Sequence, residues 1–191
     1  MLNVTSDMKQ GQGLNKDRTY VGVVVDNNDP ERLCRIKVQI AQVFDEISTD
    51  LLPWALPSLN HTGGASAKTG NVDIPDIGSK VSIVFEDGNI DYPRYSGYHV
   101  DKKTILEECR ENYPNRVVVR MKNNCLLVID KKTNEMFIRN PGALKIYVTG
   151  DLELEVKGNV QQKVHGNHVL EVSGNMSTKV DGNYKLSRSE E

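Results

Sequence analysis

The 191-residue sequence has no apolar run long enough to cross a bilayer, and residues 1–17 are polar, without the apolar core of a signal peptide. We therefore expect a protein that is made in the cytoplasm, is not exported by a signal peptide and has no membrane span of its own. Cysteine is scarce as well. Cys34, Cys109 and Cys125 are widely spaced and form no C-x-x-C pair, which argues against a zinc site and fits folding in a reducing compartment.

The sequence also has little net charge and little apolar content. Its 24 Lys and Arg nearly balance 26 Asp and Glu, giving a formal net charge of −2, which argues against general affinity for nucleic acid or for anionic membranes. A hydrophobic content of 38% is low for one large core, so an elongated oligomer that buries apolar surface between chains is favoured. No G-x-S-x-G, P-loop or H-E-x-x-H motif occurs, and we predict neither an enzyme nor a cofactor.

What the sequence does contain is an eight-residue repeat near its C-terminus. In each octad a valine precedes a glycine by two residues, and Asp or Asn follows the glycine. A period this short indicates a β-helix or β-solenoid, and Gly-Asn and Gly-Asp pairs suit its corners because these residues tolerate the positive φ that a tight turn can require. The valines are Val148, Val156, Val164, Val172 and Val180, and the corner glycines are Gly150, Gly158, Gly166, Gly174 and Gly182.

The residues between the corners alternate, with apolar side chains mostly at even positions and polar ones mostly at odd positions. This pattern predicts one dry face and one wet face for each strand. A single octad is too narrow to enclose its own dry face, so the apolar row must be covered by other chains. We predict three copies wound around one axis that the five valines fill, with interchain hydrogen bonds at about 4.8 Å spacing and a total rise of about 24 Å.

The N-terminal half of the sequence predicts short strands. Residues 19–26 and 33–43 are rich in β-branched side chains and flank a turn at 27–31, which indicates a hairpin, and residues 80–86 and 92–99 indicate a second strand pair. Together these strands predict a small barrel over residues 18–100, after a polar arm at 1–17. Residues 101–116 are interpreted as a linker, with a short helix or a loop at 101–111, and residues 117–147 as a β region that leads to the octads at 148–191.

The segment Ile74 to Asn89, followed by residues 92–97, resembles the OB-fold module of phage baseplate spike proteins, whose pattern is roughly P-x-x-G-x-x-V-x-V-x-F-x-x-G-D with a later proline and an x-G. The octads resemble the triple-stranded β-helix of the same family, which includes the central spikes of contractile-tailed phages and of type VI secretion systems. The residues that carry the OB-fold pattern are Pro75, Gly78, Val81, Phe85, Gly88, Pro93 and Gly97.

The resemblance implies an all-β protein, with an N-terminal OB-fold barrel followed by an intertwined trimeric β-helix. Its implied function is the central spike of a phage baseplate or a related contractile injection machine, located in the virion tail. The homotrimer would dock on a hub protein through the OB-fold and pierce the host envelope during tail contraction. The sequence leaves the host, the hub and the choice between phage and secretion machine open.

The sequence departs from the family in three respects. Too few residues separate the OB-fold from the octads for a lysozyme domain, and only a short arm stands where type VI spikes carry a hub region. No H-x-H motif occurs, so the iron site of some related tips is not expected. The resemblance therefore predicts a separate PAAR-type tip protein at the C-terminal end, or a rod that is used blunt.

Several residues allow two interpretations. His168 shares the parity of the apolar row, so three copies could hold a metal ion or an anion, although a water-bridged or solvent-facing histidine is favoured. Gln162 and Thr178 have the same parity and either fix the register or distort the helix locally. Trp54 is expected in the barrel core rather than in a base-stacking face. The tyrosines considered for that face are Tyr20, Tyr92, Tyr95 and Tyr98.

The charged clusters are interpreted as ordinary surface. Arg32, Arg35 and Lys37 form a small basic run, for which a solvated face or a hub contact is favoured over phosphate recognition. Glu107 and Glu108 are adjacent and nothing near them supplies a cleft, so they are predicted to be surface charge rather than hydrolytic carboxylates.

Two other functions compete with the spike. A trimeric glycan-binding adhesin or tail-fibre segment would require exposed aromatic residues along the rod, whereas the predicted outward positions are charged or small. An OB-fold nucleic-acid binder with an oligomerising tail is the third candidate, and weak retention on single-stranded DNA at low salt would dismiss it.

Overall fold

The structure is a computed structural model that describes residues 18–41, 43–58 and 69–187. The chain divides into two units, Met1–Ala143 and Leu144–Glu191. The described residues form β-strands and short 3-10 turns but no α-helix, so the described part of the chain fits the predicted all-β class. Across the same residues, no helix has the length and apolar content needed to cross a membrane.

Five short strands in the first unit form a sheet that closes on itself. The strand order is β2-β1-β4-β5-β3, with β3 parallel to β5 and every other pair antiparallel. Ile36, next to β2, and Ala55, next to β3, exchange two backbone hydrogen bonds of 3.1 and 2.8 Å, which join the two edge strands β2 and β3. The result is a five-stranded barrel. Its strands are β1 (Tyr20–Asp26), β2 (Lys37–Gln39), β3 (Leu56–Pro57), β4 (Lys80–Phe85) and β5 (Pro93–Tyr98).

The barrel core follows from the two-residue alternation of its strands. Along β4, Val81, Ile83 and Phe85 are buried, while the residues between them are exposed or half-buried, as expected for a strand with one face inward. Phe85 contacts the rings of Phe44 and Tyr20 in edge-on geometry. The buried core cluster comprises Val24, Ile36, Val38, Ile40, Phe44, Leu52, Ala55, Val81, Ile83, Phe85 and Tyr95.

The two predicted strand pairs are present, but β2 is shorter than the predicted residues 33–43. On its N-terminal side the chain turns around Asp29, whose carboxylate accepts hydrogen bonds from the backbone amides of Glu31 and Leu33. On its C-terminal side, the amide of Phe44 bonds the carbonyl of Ile40 and turns the chain away. Local hydrogen bonds of this kind compete with strand pairing.

Residues 101–115 form consecutive turns rather than an α-helix. The Asp101 carboxylate accepts hydrogen bonds from the amides of Lys103 and Thr104, which starts a turn. Leu106 has extended backbone angles, φ −60° and ψ 133°, and this separates the first turn from the 3-10 turn at Glu107–Cys109. The interruption explains why only a loop forms here.

A second sheet follows, with three antiparallel strands in sequence order. It contains β6 (Arg116–Arg120), β7 (Leu126–Asp130) and β8 (Glu135–Arg139). All three strands lie in the residues interpreted as a β region, 117–147, except that β6 begins one residue earlier, at Arg116. Leu126, Val128 and Asp130 are buried on one face of β7, whereas all five residues of β8 are exposed.

The second unit, taken by itself, contains no strand among its described residues 144–187, and all of them are exposed. Bends recur every eight residues at the octad glycines and the residues before them. The five octad valines have nearly equal exposed fractions of 43–47%, whereas the other large apolar side chains of this unit are 63–90% exposed. The chain therefore repeats one conformation in every octad and leaves its apolar row uncovered.

Candidate functional site

The residues of the OB-fold pattern are either buried in the barrel or occupy turns with positive φ. Val81 and Phe85 are core residues, and Pro75 and Pro93 are buried. Gly78 has a φ of 90°, a conformation that favours glycine, and its amide donates a 2.8 Å hydrogen bond to the Val24 carbonyl. The pattern is therefore mainly a folding pattern. Gly88 and Gly97 also have positive φ, of 72° and 53°.

The loop between β1 and β2 contains a buried ion pair that the sequence did not predict. Arg35 donates to Asp29 through Nε at 3.1 Å and through Nη2 at 2.6 Å, which is the strong two-pronged geometry of arginine with a carboxylate. The guanidinium, helped by the amides of Leu33 and Glu31, holds the pKa of Asp29 well below its usual range. Asp29 in turn raises the pKa of Arg35. The pair stiffens this loop.

Trp54 lies outside the core cluster, which corrects its predicted core position. It is half-buried, with the guanidinium of Arg35 5.6 Å and the ammonium of Lys37 5.0 Å from its ring centroid. Lys37 is itself buried and donates to the carbonyls of Thr49 and Asp50, both at 2.9 Å. The ring faces cations that are already held in place. Arg35 and Lys37 are therefore not the solvated face that the basic run indicated, although Arg32 is exposed.

The tyrosines do not form one stacking face. Tyr95 is buried, and its hydroxyl donates a 2.7 Å hydrogen bond to the Cys34 carbonyl, while burial raises its pKa to about 12. Tyr98 is exposed and donates to Asp73 at 3.1 Å. Tyr98, Asp73 and Ser96 are among the residues that line a shallow cavity of about 180 Å³. This mixture of buried and exposed rings does not support the base-stacking interpretation.

A second buried carboxylate fastens the linker to the β6–β8 sheet. Asp130 is 2% exposed and accepts hydrogen bonds from the Asn112 side chain at 2.7 Å and from Arg116 Nε at 2.8 Å. The amides of Lys132 and Thr133 complete its partners, at 2.9 and 3.2 Å. These bonds, the one from Asn112 first, hold the pKa of Asp130 well below its usual range. The sequence signal for this role of Asp130 is its position directly before a turn, where Asp commonly accepts hydrogen bonds from backbone amides.

Glu108 is not the surface charge that the sequence predicted. Its side chain is only 19% exposed and pairs with Arg120 of β6. Its own backbone amide and Arg120 lower the pKa of its carboxyl. Glu107 beside it is exposed, as predicted. The linker therefore contacts the second sheet through Glu108 as well as through Asn112.

We expect the unfolding temperature of the protein to fall as the pH drops below about 4, the ordinary pKa of aspartate. Asp29 and Asp130 have lowered pKa values in the folded protein. Their contribution to stability is therefore full above the pKa of the unfolded chain and is lost as the pH falls toward the folded pKa. Thermal unfolding followed from pH 7 to pH 2 measures this. Asp130→Asn should flatten the profile, whereas the exposed Asp151→Asn should keep the slope of the parent, and an equally steep profile for both variants would contradict the assignment.

The roles of the octad valines in the axis and of the octad glycines at the corners stay predictions. The bends coincide with the glycines, yet none of the five glycines has a left-handed φ among the described residues, so the bends do not require that conformation. A Cβ built on any of the five would meet nothing within 4 Å in its own chain. A requirement for glycine must therefore come from outside the single chain. His168, Gln162 and Thr178 are exposed, and an axial site at His168 stays a prediction.

No group of three or more His, Cys, Asp or Glu side chains suited to a metal ion occurs in the described ranges 18–41, 43–58 and 69–187. The two most strongly perturbed carboxylates, Asp29 and Asp130, are each held by an arginine and by backbone amides. Such ion pairs are typical of structural networks.

Comparison with known families identifies the barrel. Residues 20–99 match the family model of the type VI secretion system/phage-baseplate injector OB domain, and this range contains β1 to β5 with the whole OB-fold pattern. The predicted N-terminal OB-fold is thereby confirmed, and the match supports a structural role related to baseplate spikes. The matched range is less than half of the 191-residue chain and ends before β6. No curated protein matches the chain.

Proposed function

We propose, from the injector OB domain at residues 20–99, that this chain is a homotrimeric central spike of a contractile injection machine, with a phage baseplate as the favoured setting. The observation that carries the proposal is the order of two features in one chain. An injector OB domain is followed by five octads of constant conformation whose apolar row is exposed. An exposed apolar row this long marks an interaction surface.

The proposed mechanism is mechanical. The OB-fold end docks on a hub protein and the octads of three chains wind into a stiff rod, so that work done on the base during sheath contraction reaches the tip and the host envelope. Interchain hydrogen bonds and an apolar axis resist buckling, and winding the chains together leaves no free strand edge along the rod. The chain acts without catalysis, and a separate PAAR-type protein caps its C-terminal end.

The OB domain is suited to bear this load because two of its connecting segments are held by charged side chains. The barrel is closed by the bonds between Ile36 and Ala55. The loop before β2 is held by the Asp29–Arg35 pair, and the segment at Thr49 and Asp50 is held by the Lys37 ammonium. Charge-assisted hydrogen bonds of this kind are among the strongest polar contacts in proteins.

Absolute mass in solution, measured by light scattering, tests the proposal most directly. We expect a stable mass of three chains, and negative-stain electron microscopy should show a rod joined to a wider base. A folded chain at the mass of one copy would overturn the spike. A three-chain rod that is retained on surface glycans would instead favour the adhesin.

A further inference from the structure

The β6–β8 sheet exposes an apolar face that its own unit leaves largely uncovered. The strand register places Val117, Ile129 and Met136 side by side, and then Val119, Leu127 and Ile138. Alternation puts these six side chains on one face, which we call the β6–β8 face. None of the six carries a charge or a hydrogen-bonding group. Five of them are exposed, with exposed fractions from 37% to 62%, and Leu127 is half-buried.

The opposite face of the same sheet is covered along β7, whereas on β8 it stays exposed, with Phe137 at 43%. Leu126 and Val128 are buried there, and Asp130 is bonded to Asn112 of the linker. The charged residues at the strand ends, among them Arg116 and Arg120, have the parity of this covered face. The sheet is therefore formed within one chain and bonded to the linker through Asp130, and the β6–β8 face is its uncharged apolar side. Such a face marks an interaction site when it is contiguous and apolar.

The chemistry of this face favours another copy of the same chain over a different partner. In a ring of three copies, identical residues meet close to the threefold axis, so a charge there would face two like charges, and the β6–β8 face carries none. It is also continuous in sequence with the octads, since β8 ends at Arg139 and the first octad valine is Val148. The β6–β8 face and the apolar row of the octads, both of which are exposed, thus follow each other directly in the sequence.

We propose that the β6–β8 face binds the same face of further copies of this chain, and that this contact sets the register in which the octads wind. The inference rests on the homotrimer of the proposed function and assigns it a second contact surface. None of the octad residues 148–187 is buried within one chain, so the octads need two other chains to form a core. The sheet is already formed in one chain and can associate first. Once it has, the octads face one another at an effective concentration on the order of millimolar, rather than that of free chains.

The test places a charge on the face and follows assembly of the full chain. Val119→Glu is refolded from denaturant over a series of chain concentrations, and the mass is measured by light scattering. Val21→Glu on β1 is the matched control, because Val21 and Val119 are both 47% exposed. We expect Val119→Glu to raise the chain concentration at half-assembly by at least about tenfold, because its carboxylates would be buried together without partners. Val21→Glu should assemble like the parent.

Ile138→Glu on β8 is the second variant, with circular dichroism to show that the barrel is folded in each protein. If the parent forms three-chain particles and both face variants assemble at the concentrations of the parent, this inference is wrong and the spike proposal stands. If the parent itself stays at the mass of one chain, the homotrimer and this inference fail together. If Val21→Glu impairs assembly as strongly as Val119→Glu, the effect is not specific to the face, and the assignment is wrong.

Discussion

Gly166→Val is expected to abolish the three-chain particle while the OB barrel stays folded. Within one chain a Cβ at Gly166 meets nothing within 4 Å, and its φ is not left-handed, so a single chain accommodates valine. In the proposed rod, backbones of neighbouring chains lie about 4.8 Å apart and every substitution is present three times. Overpacking a close contact costs about 1–3 kcal/mol for each site, which a threefold interface multiplies.

Light scattering gives the mass of the variant, and circular dichroism reports the barrel. The control is Ser173→Val, which introduces the same side chain at an exposed octad position of the predicted polar face; it should assemble like the parent. A Gly166→Val particle with the mass and melting behaviour of the parent would show that the octad corners do not need glycine, and the corner assignment would have to be abandoned.

Much of the barrel was predictable because its strands carry local signals. The alternation of Val81, Ile83 and Phe85 specifies an inward face, and the turn residues around Asn27 and Gly88 lie between the two strands of each pair. The same alternation predicted β6 to β8. The OB-fold pattern could be recognised because its glycines and prolines occupy backbone positions that few other residues accept, as at Gly78 with its φ of 90°.

The ionic networks could not be predicted, since they join residues that approach only after the loops fold. Arg35 and Lys37 looked like a basic run, yet Arg35 turns back to Asp29 while Lys37 reaches the carbonyls of Thr49 and Asp50. A lone tryptophan beside prolines favours the core, yet Trp54 is half-buried and its ring centroid lies 5.6 and 5.0 Å from two cations, which the sequence does not show.

The octads present the opposite situation. Their periodicity is the strongest signal in the sequence, but the single chain contains no partner for them, so their bends and exposed valines repeat without forming a strand. The exposed β6–β8 face could not be predicted, because alternation alone does not tell which face of a sheet is covered. The residues of the linker decide that, through the bond from Asn112 to Asp130.

Gly22→Val is expected to have the largest effect on the barrel itself and to leave little folded protein. Gly22 is buried on β1, and a Cβ built there would lie 3.0 Å from the Cβ of Val38 and 3.1 Å from Cγ1 of Ile83. The first of these atoms is fixed to its strand and cannot rotate away. A glycine in a strand marks such a close approach. Gly22→Ala should already lower the free energy of unfolding by about 1–3 kcal/mol, the usual cost of overpacking.

Denaturant unfolding of Gly22→Ala and Gly22→Val, each compared with the parent, separates packing from strand propensity. Alanine and valine both restrict the unfolded chain more than glycine does, and valine is the better strand former. Propensity alone would therefore make both Gly22 variants more stable than the parent, and Gly22→Val the more stable of the two. Packing predicts the reverse order, because valine brings two more methyl groups toward Val38 and Ile83. A stable Gly22→Val protein would mean that β1 moves away from β2 without loss of stability, and it would contradict the tightly packed barrel that the proposed spike requires.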